Sequence, residues 1–123
     1  MSDSAKKILI IEDEKPIARA LELKLSHEGF SPVVISSGVS GVEMMEKDSF
    51  DVVILDLVMP KVDGFEVLKR MREKKITTPV IVLSNLSQEE DKDKVLELGA
   101  KEFFIKSNMP IAEVVEYVKK LSS

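Results

Sequence analysis

Five polar residues each stand at the end of an apolar run, in types that could act together. Glu12 and Asp13 follow residues 8–11, Asp56 follows 52–55, Ser84 follows 80–83 and Lys106 follows 103–105. In open parallel sheets, ligands and reacting groups gather just beyond the carboxyl ends of strands. If the first and third runs are neighbouring strands, the carboxylates of Glu12, Asp13 and Asp56 meet in one shallow pocket. Acids crowded in a partly dry site repel one another and resist ionisation unless a cation compensates. Oxygen-only donors favour a hard ion, and so few carboxylates suit an octahedral Mg²⁺ that keeps some of its waters. Lys106 adds a second positive charge and Ser84 a hydroxyl, so the pocket is suited to holding an anion against a carboxylate.

The elements that must position these groups can be read from periodicity. Residues 8–11, 30–35, 52–55, 79–83 and 103–105 form short apolar or β-branched runs, the pattern of strands buried on both faces of a parallel sheet. Between them lie segments of helical spacing. Ile17, Ala20, Leu21 and Leu25 mark the first, with Pro16 in its opening turn and Gly29 at its stop. Ser40 with Glu43 reads as a capping box opening the second, whose inward residues are Val42, Met44 and Met45. Phe65, Val67, Leu68 and Met71 mark the third, after a turn at Pro60 to Gly64 in which Gly64 supplies unusual dihedrals. Ser87 to Glu90 reads as another capping box, opening a charged helix that keeps Val95, Leu96 and Leu98 for burial before Gly99. Pro110 opens the last, with Ile111, Val114, Val115, Val118 and Leu121 inward. The result is a (βα)₅ chain, an α/β doubly wound sandwich with a parallel five-stranded sheet and helices on both faces.

Composition agrees. A chain of 123 residues, 44% hydrophobic and 33% charged, fits one soluble domain over residues 1–123, with a short flexible amino terminus at 1–5. A net charge of -4 disfavours direct binding to nucleic acid, and the absence of cysteine removes disulfides and thiolate ligands. No apolar stretch reaches the roughly 20 residues of a membrane span, and the first residues lack the pattern of a signal peptide, so the expected location is the cytoplasm, with no membrane contact.

These residues together resemble the receiver domain of two-component response regulators, the CheY-like superfamily. The resemblance rests on the Glu12-Asp13 pair, Asp56 followed by Met59-Pro60 and Asp63-Gly64, Ser84 after an apolar strand, and Gly99-Ala100 leading to Phe103 and Lys106, in order over nearly the whole chain. It implies strand order 2-1-3-4-5 and Asp56 as acceptor of a phosphoryl group from a histidine kinase or a histidine phosphotransfer protein. Asp13, Asp56 and the Val58 backbone carbonyl would hold Mg²⁺, or Mn²⁺ in its place, with Glu12 acting through a metal-bound water. Lys106 and Ser84 would contact phosphoryl oxygens, and Ser84 and Phe103 would carry the switch. The chain would be a stoichiometric acceptor and not an enzyme, signalling to a downstream protein. It would be a monomer or a weak homodimer through the fourth helix, fifth strand and fifth helix.

Two departures stand out. The family's Lys-Pro with a cis bond is replaced by Lys106-Ser107, and Asn85 takes the place of a small residue after the switch hydroxyl. Val58 and Leu86 occupy positions that tune dephosphorylation in the family, and neither side chain can orient a water, which implies a long-lived phosphoryl state.

Each residue also has a plainer role. Asp13 could cap the first helix, Asp56 a turn, and Lys106 could be a surface lysine. Ser84 could satisfy backbone groups, and Phe103 belongs to the core edge. His27 reads as an exposed helix-end residue, and the charged run 89–94 as a solvated face. Competing functions are a pseudo-receiver that works as an interaction module without phosphorylation, and a flavodoxin-like cofactor binder or phosphatase. The acidic loop at Glu12, Asp13 and Glu14 would repel a cofactor phosphate, and the second acid two positions after the aspartate that aspartate-based phosphatases use is absent.

Overall fold

The computed structural model describes residues 5–59, 61–85, 89–108 and 111–123, with the side chains of residues 89 and 108 excepted. The expected roles of Pro60, Leu86, the Ser87 cap and Pro110, and the reading of residues 1–4 as a flexible end, lie outside the described residues. Elements alternate throughout: β1 (Lys7–Ile11), α1 (Lys15–His27), β2 (Ser31–Ile35), α2 (Gly38–Lys47), β3 (Val52–Asp56), α3 (Gly64–Glu73), β4 (Val80–Ser84), α4 (Glu89–Glu97), β5 (Glu102–Ile105), a 3-10 turn at Lys106–Asn108, and α5 (Ile111–Ser122). All five strands are parallel in the order β2-β1-β3-β4-β5, so β1 and β3 are neighbours as the carboxylate argument requires.

Side chains alternate between the two faces of a strand, and the sheet uses both. Leu9, Ile11, Val53, Leu55 and Val82 pack with Val42 and Met45 of α2, Val67, Leu68 and Met71 of α3 and Val95 of α4. Ile8, Ile10, Val52, Ile54, Ile81 and Leu83 pack with Leu21 and Leu25 of α1 and Val114, Val115 and Val118 of α5. Every residue of β3 and β4 is buried. At roughly 1.5–3 kcal/mol per fully buried aliphatic side chain, these central strands form a rigid base for whatever follows their carboxyl ends.

Three helices finish in the same way. In α1 the Phe30 and Gly29 amides donate to the Leu25 and Ser26 carbonyls, in α4 the Ala100 and Gly99 amides to Val95 and Leu96, and in α3 the Ile76 and Lys75 amides to Met71 and Arg72. This doubled closure places the penultimate donor in the left-handed region. Gly29 and Gly99 take it with φ of 93° and 106°, but α3 puts a lysine there, Lys75 with φ 59°.

Several expectations need correction. The residue capping α2 is Ser37, whose hydroxyl accepts from the Ser40 amide at 3.2 Å, so Ser40 lies inside the first turn and is not the cap. The apparent box misled because the helix begins one turn earlier, where Gly38 allows close approach to the loop before α3: a Cβ there would lie 2.7 Å from the Val62 carbonyl oxygen. Gly64 is the first residue of α3 and its φ is not positive; the left-handed residue of that turn is Lys61, φ 67°. What Gly64 supplies is room, since a Cβ would meet the Asp56 carbonyl oxygen at 2.6 Å and the Leu57 Cα at 2.7 Å. Leu96 is exposed and not part of the core; among the described side chains of α4 only Val95 is fully buried. Strand β2 starts at Ser31, with Phe30 packed between α1 and the sheet, and β4 starts at Val80, one residue after Pro79. His27 is exposed at the end of α1, as its isolation suggested.

Candidate functional site

Strand β1 delivers Glu12, which is only 2% exposed. Its Oε2 accepts from the Glu14 amide at 2.9 Å, which orients the carboxylate inward. Asp13, next along, is the more open of the pair and does not cap α1: the cap position is Glu14, whose side chain makes no capping bond. Strand β3 delivers Asp56, also 2% exposed, with Oδ1 accepting from the Val58 amide at 3.2 Å. The main chain is closed tightly behind it, because the Gly64 amide bonds the Leu57 carbonyl at 2.9 Å. Asp63 caps α3 by accepting from the Glu66 amide, a structural role.

From β5 comes Lys106, its side chain 4% exposed. No peptide bond among the described residues is cis, so the Lys106–Ser107 bond is trans, and the lysine still reaches the carboxylates. Its Nζ lies 2.9 and 3.1 Å from the two oxygens of Glu12, 3.1 Å from Asp56 Oδ2 and 3.5 Å from Glu14 Oε1. One cation thus serves several acids. Glu12 Oε1 and Asp56 Oδ2 are within ion-pair distance of it but find no aligned hydrogen-bond donor.

The electrostatics follow from burial and crowding. Desolvation, joined by the charge and hydrogen bonding of Glu12, outweighs Lys106 and lifts the Asp56 carboxyl from 3.8 to about 7. Burial pulls the Lys106 ammonium down, but its bonds to Glu12 and Asp56 together hold it above its ordinary value. The site therefore has more negative charge to place than its lysine can neutralise.

Glu12, Asp13 and Asp56 each offer an oxygen within 4.8 Å of the others. The two buried oxygens lacking aligned donors and the hard, all-carboxylate donor set fit a Mg²⁺-type ion. Ser84, at the end of β4, is fully buried and interacts within the structure. Phe103 is half-buried against the α2–α4 side of the core, the side to which the strand period also assigns Ser84. Val58 is 57% exposed at the rim. Sequence reasoning missed Glu14 as a contact of Lys106; its place directly after the acid pair was the available signal.

The sequence profile described as the response regulator receiver domain matches residues 8–119. The chain belongs to the response regulator receiver family. Among relatives of this receiver domain, the alkaline phosphatase synthesis transcriptional regulatory protein PhoP of Bacillus subtilis is 35% identical over 105 residues, 85% of this chain and 44% of that protein. The transcriptional regulatory protein DltR of Streptococcus agalactiae is 40% identical over 100 residues, 81% of this chain and 45% of that protein. The chain therefore spans less than half the length of these relatives. In structure it is similar to the receiver domain of Francisella response regulator 1452, with a TM-score of 0.91, 32% identity and coverage of 95% and 96% of the two chains. A receiver domain of two-component response regulators, with CheY-like architecture, is thus what this chain contributes. Among the described residues no helix is long and apolar enough to cross a membrane.

Proposed function

We propose that Asp56 is the phosphoryl acceptor of this receiver, drawing its phosphoryl group from the phosphohistidine of a sensor kinase or phosphotransfer protein. The observation that carries this is a buried carboxylate, 3.1 Å from a buried lysine, whose oxygens share one pocket with those of Glu12 and Asp13. An Asp56 carboxylate oxygen attacks phosphorus; the O–P bond forms as the N–P bond to the donor imidazole breaks, and the imidazole nitrogen takes the electron pair. No general base is required once the charge of the acidic cluster is compensated, because the nucleophile is then ionised and has no proton to lose. Such transfers depend on alignment and charge neutralisation.

Asp13, Asp56 and the Val58 carbonyl are the proposed holders of Mg²⁺, with Mn²⁺ able to substitute, and Glu12 contributes through a bound water. When bound, the ion supplies charge neutralisation for the acidic cluster and the arriving phosphoryl oxygens. Lys106 neutralises one phosphoryl oxygen, and Ser84 donates its hydroxyl to another. The new group brings roughly -1.5 to -2 of charge. Drawing Ser84 toward that charge frees space behind it for Phe103 on the same face of the sheet, which shifts the population of the α4–β5–α5 surface. Residues 1–123 act as one receiver unit in the cytoplasm, a stoichiometric acceptor and not a turnover enzyme, which reports to a downstream protein and pairs at most weakly through that surface.

Incubation with acetyl phosphate and Mg²⁺, followed by intact mass, tests the reading. One phosphoryl adduct that disappears in Asp56→Asn and with chelator is expected. Absence of any adduct in the folded wild type would overturn it in favour of a phosphorylation-independent interaction module.

A further inference from the structure

At the opposite end of β4 from Ser84, roughly 13 Å away at strand rise, a second concavity of about 260 Å³ opens between the end of α3, the segment leading into β4 and the turn before β5. Its floor includes the buried Met71 and Val80 and the half-buried Leu98, and its rim carries Arg72, Lys75 and Lys101. Among the described residues no acidic side chain lines it, in a chain whose net charge is -4. An apolar floor edged by a few polar or charged groups is the make-up expected of a small-ligand site, and the volume suits a fragment-sized molecule.

Three features mark the rim. Lys75 occupies the left-handed position at the end of α3 that glycine fills at the ends of α1 and α4, so the chain carries backbone strain there while placing a cation over the cavity. Arg72 Nη2 donates to the Glu97 carbonyl of α4 at 2.6 Å, an exposed bond that directs the guanidinium to the α4 side of the rim. Lys101 is tied through its backbone to β4, donating to the Val80 carbonyl at 2.8 Å.

We propose that this pocket is a second ligand site, which takes a small organic acid: an anionic head held by Arg72, Lys75 and Lys101, with an apolar body on Met71, Val80 and Leu98. Such a ligand joins α3, the end of α4 and the start of β5, and so bears on the α4 side of the domain from the end remote from Asp56. The proposal is independent of phosphoryl transfer.

The test is amide NMR on the isotope-labelled whole chain, titrated with indole-3-acetate, its neutral amide and sodium sulfate. Saturable shifts confined to residues 71–80 and 97–101 are expected with indole-3-acetate, with at least about tenfold weaker response to the amide and to sulfate, since head and body contribute together. Lys75→Gly should raise the urea midpoint, by relieving the left-handed strain, yet weaken binding severalfold; R72Q with K101Q should abolish saturation while leaving the fold intact. Equal response to the neutral amide or to sulfate, shifts centred elsewhere, no saturation, or undiminished binding by Lys75→Gly would each overturn the site.

Discussion

Replacing Asp56 by asparagine should stabilise the metal-free domain, and increasingly so as pH rises. In the folded state the Asp56 carboxyl is lifted from 3.8 to about 7 by burial and by Glu12. An acid whose folded value is raised favours folding while it is protonated, and that advantage is lost as pH climbs from the unfolded value toward the folded one. A tenfold change in an ionisation equilibrium corresponds to about 1.36 kcal/mol, so charging Asp56 in the fold costs at most about 4 kcal/mol. At about pH 5.5 roughly 2 kcal/mol of this is already felt, and by about pH 8 all of it is, so the difference between variant and wild type should widen by about 2 kcal/mol over that interval. Asparagine removes one partner of Lys106, but the ammonium keeps both oxygens of Glu12 at 2.9 and 3.1 Å. Urea denaturation of both proteins at the two pH values, in chelator, measures this double difference, in which effects independent of titration cancel. Repeating it in Mg²⁺ should narrow the gap, because the ion stabilises the wild type alone to the full extent. A gap that stays constant with pH, or a variant less stable than wild type at the higher pH, would refute the electrostatic account of the site.

Lys106→Met removes the cation that faces two buried carboxylates, so a loss of about 3–5 kcal/mol in chelator is expected, partly recovered by Mg²⁺, as read by thermal unfolding. Because the Lys106 ammonium is held above its ordinary 10.5, its contribution should persist through neutral pH and disappear only as pH rises beyond that value; a stability difference between wild type and Lys106→Met that vanishes near pH 8 contradicts the pairing. Gly64→Ala drives a methyl into the Asp56 and Leu57 backbone at 2.6 and 2.7 Å, which should cost about 1–3 kcal/mol in urea and slow adduct formation from acetyl phosphate. The exposed, apolar Val58 cannot orient a water, so the phosphoryl adduct should outlast minutes in Mg²⁺; loss within seconds, followed by mass, removes that expectation.

Buried strands were readable because apolar runs of four or five residues have few alternatives in a (βα)₅ pattern, and the helices because Leu21, Leu25, Val67, Met71 and Val114 recur at a period only a helix satisfies. That Glu12 and Asp56 share one rim follows once β1 and β3 are neighbours, whereas Lys106 leaves β5, two strands away from β3, and reaches them across the end of β4. Less legible was whatever depends on atoms passing within a van der Waals radius. Ser40 matched a capping pattern, yet Ser37 is the cap, and beside it Gly38 lies so close to the Val62 carbonyl that a Cβ would not fit, a tertiary contact with no local signature. Gly64 invited a dihedral explanation where the reason was space, and besides Gly29 and Gly99 the left-handed positions among the described residues are held by Lys61 and Lys75, which no propensity would nominate. The multiple engagement of Lys106 was likewise invisible, because a lysine in a sequence does not declare how many acids it will face.

The position of Lys106 bears on how the domain would take up a metal. With an ammonium already lodged between Glu12 and Asp56, the resting site resembles a salt whose monovalent counterion is tethered to the lattice. A divalent ion held by Asp13 and Asp56 would come to share Asp56 with this ammonium, which is tethered and cannot diffuse away. A domain so arranged should tolerate metal starvation without unfolding, and its affinity for the divalent ion should be set as much by the length and freedom of one lysine stem as by the carboxylates themselves.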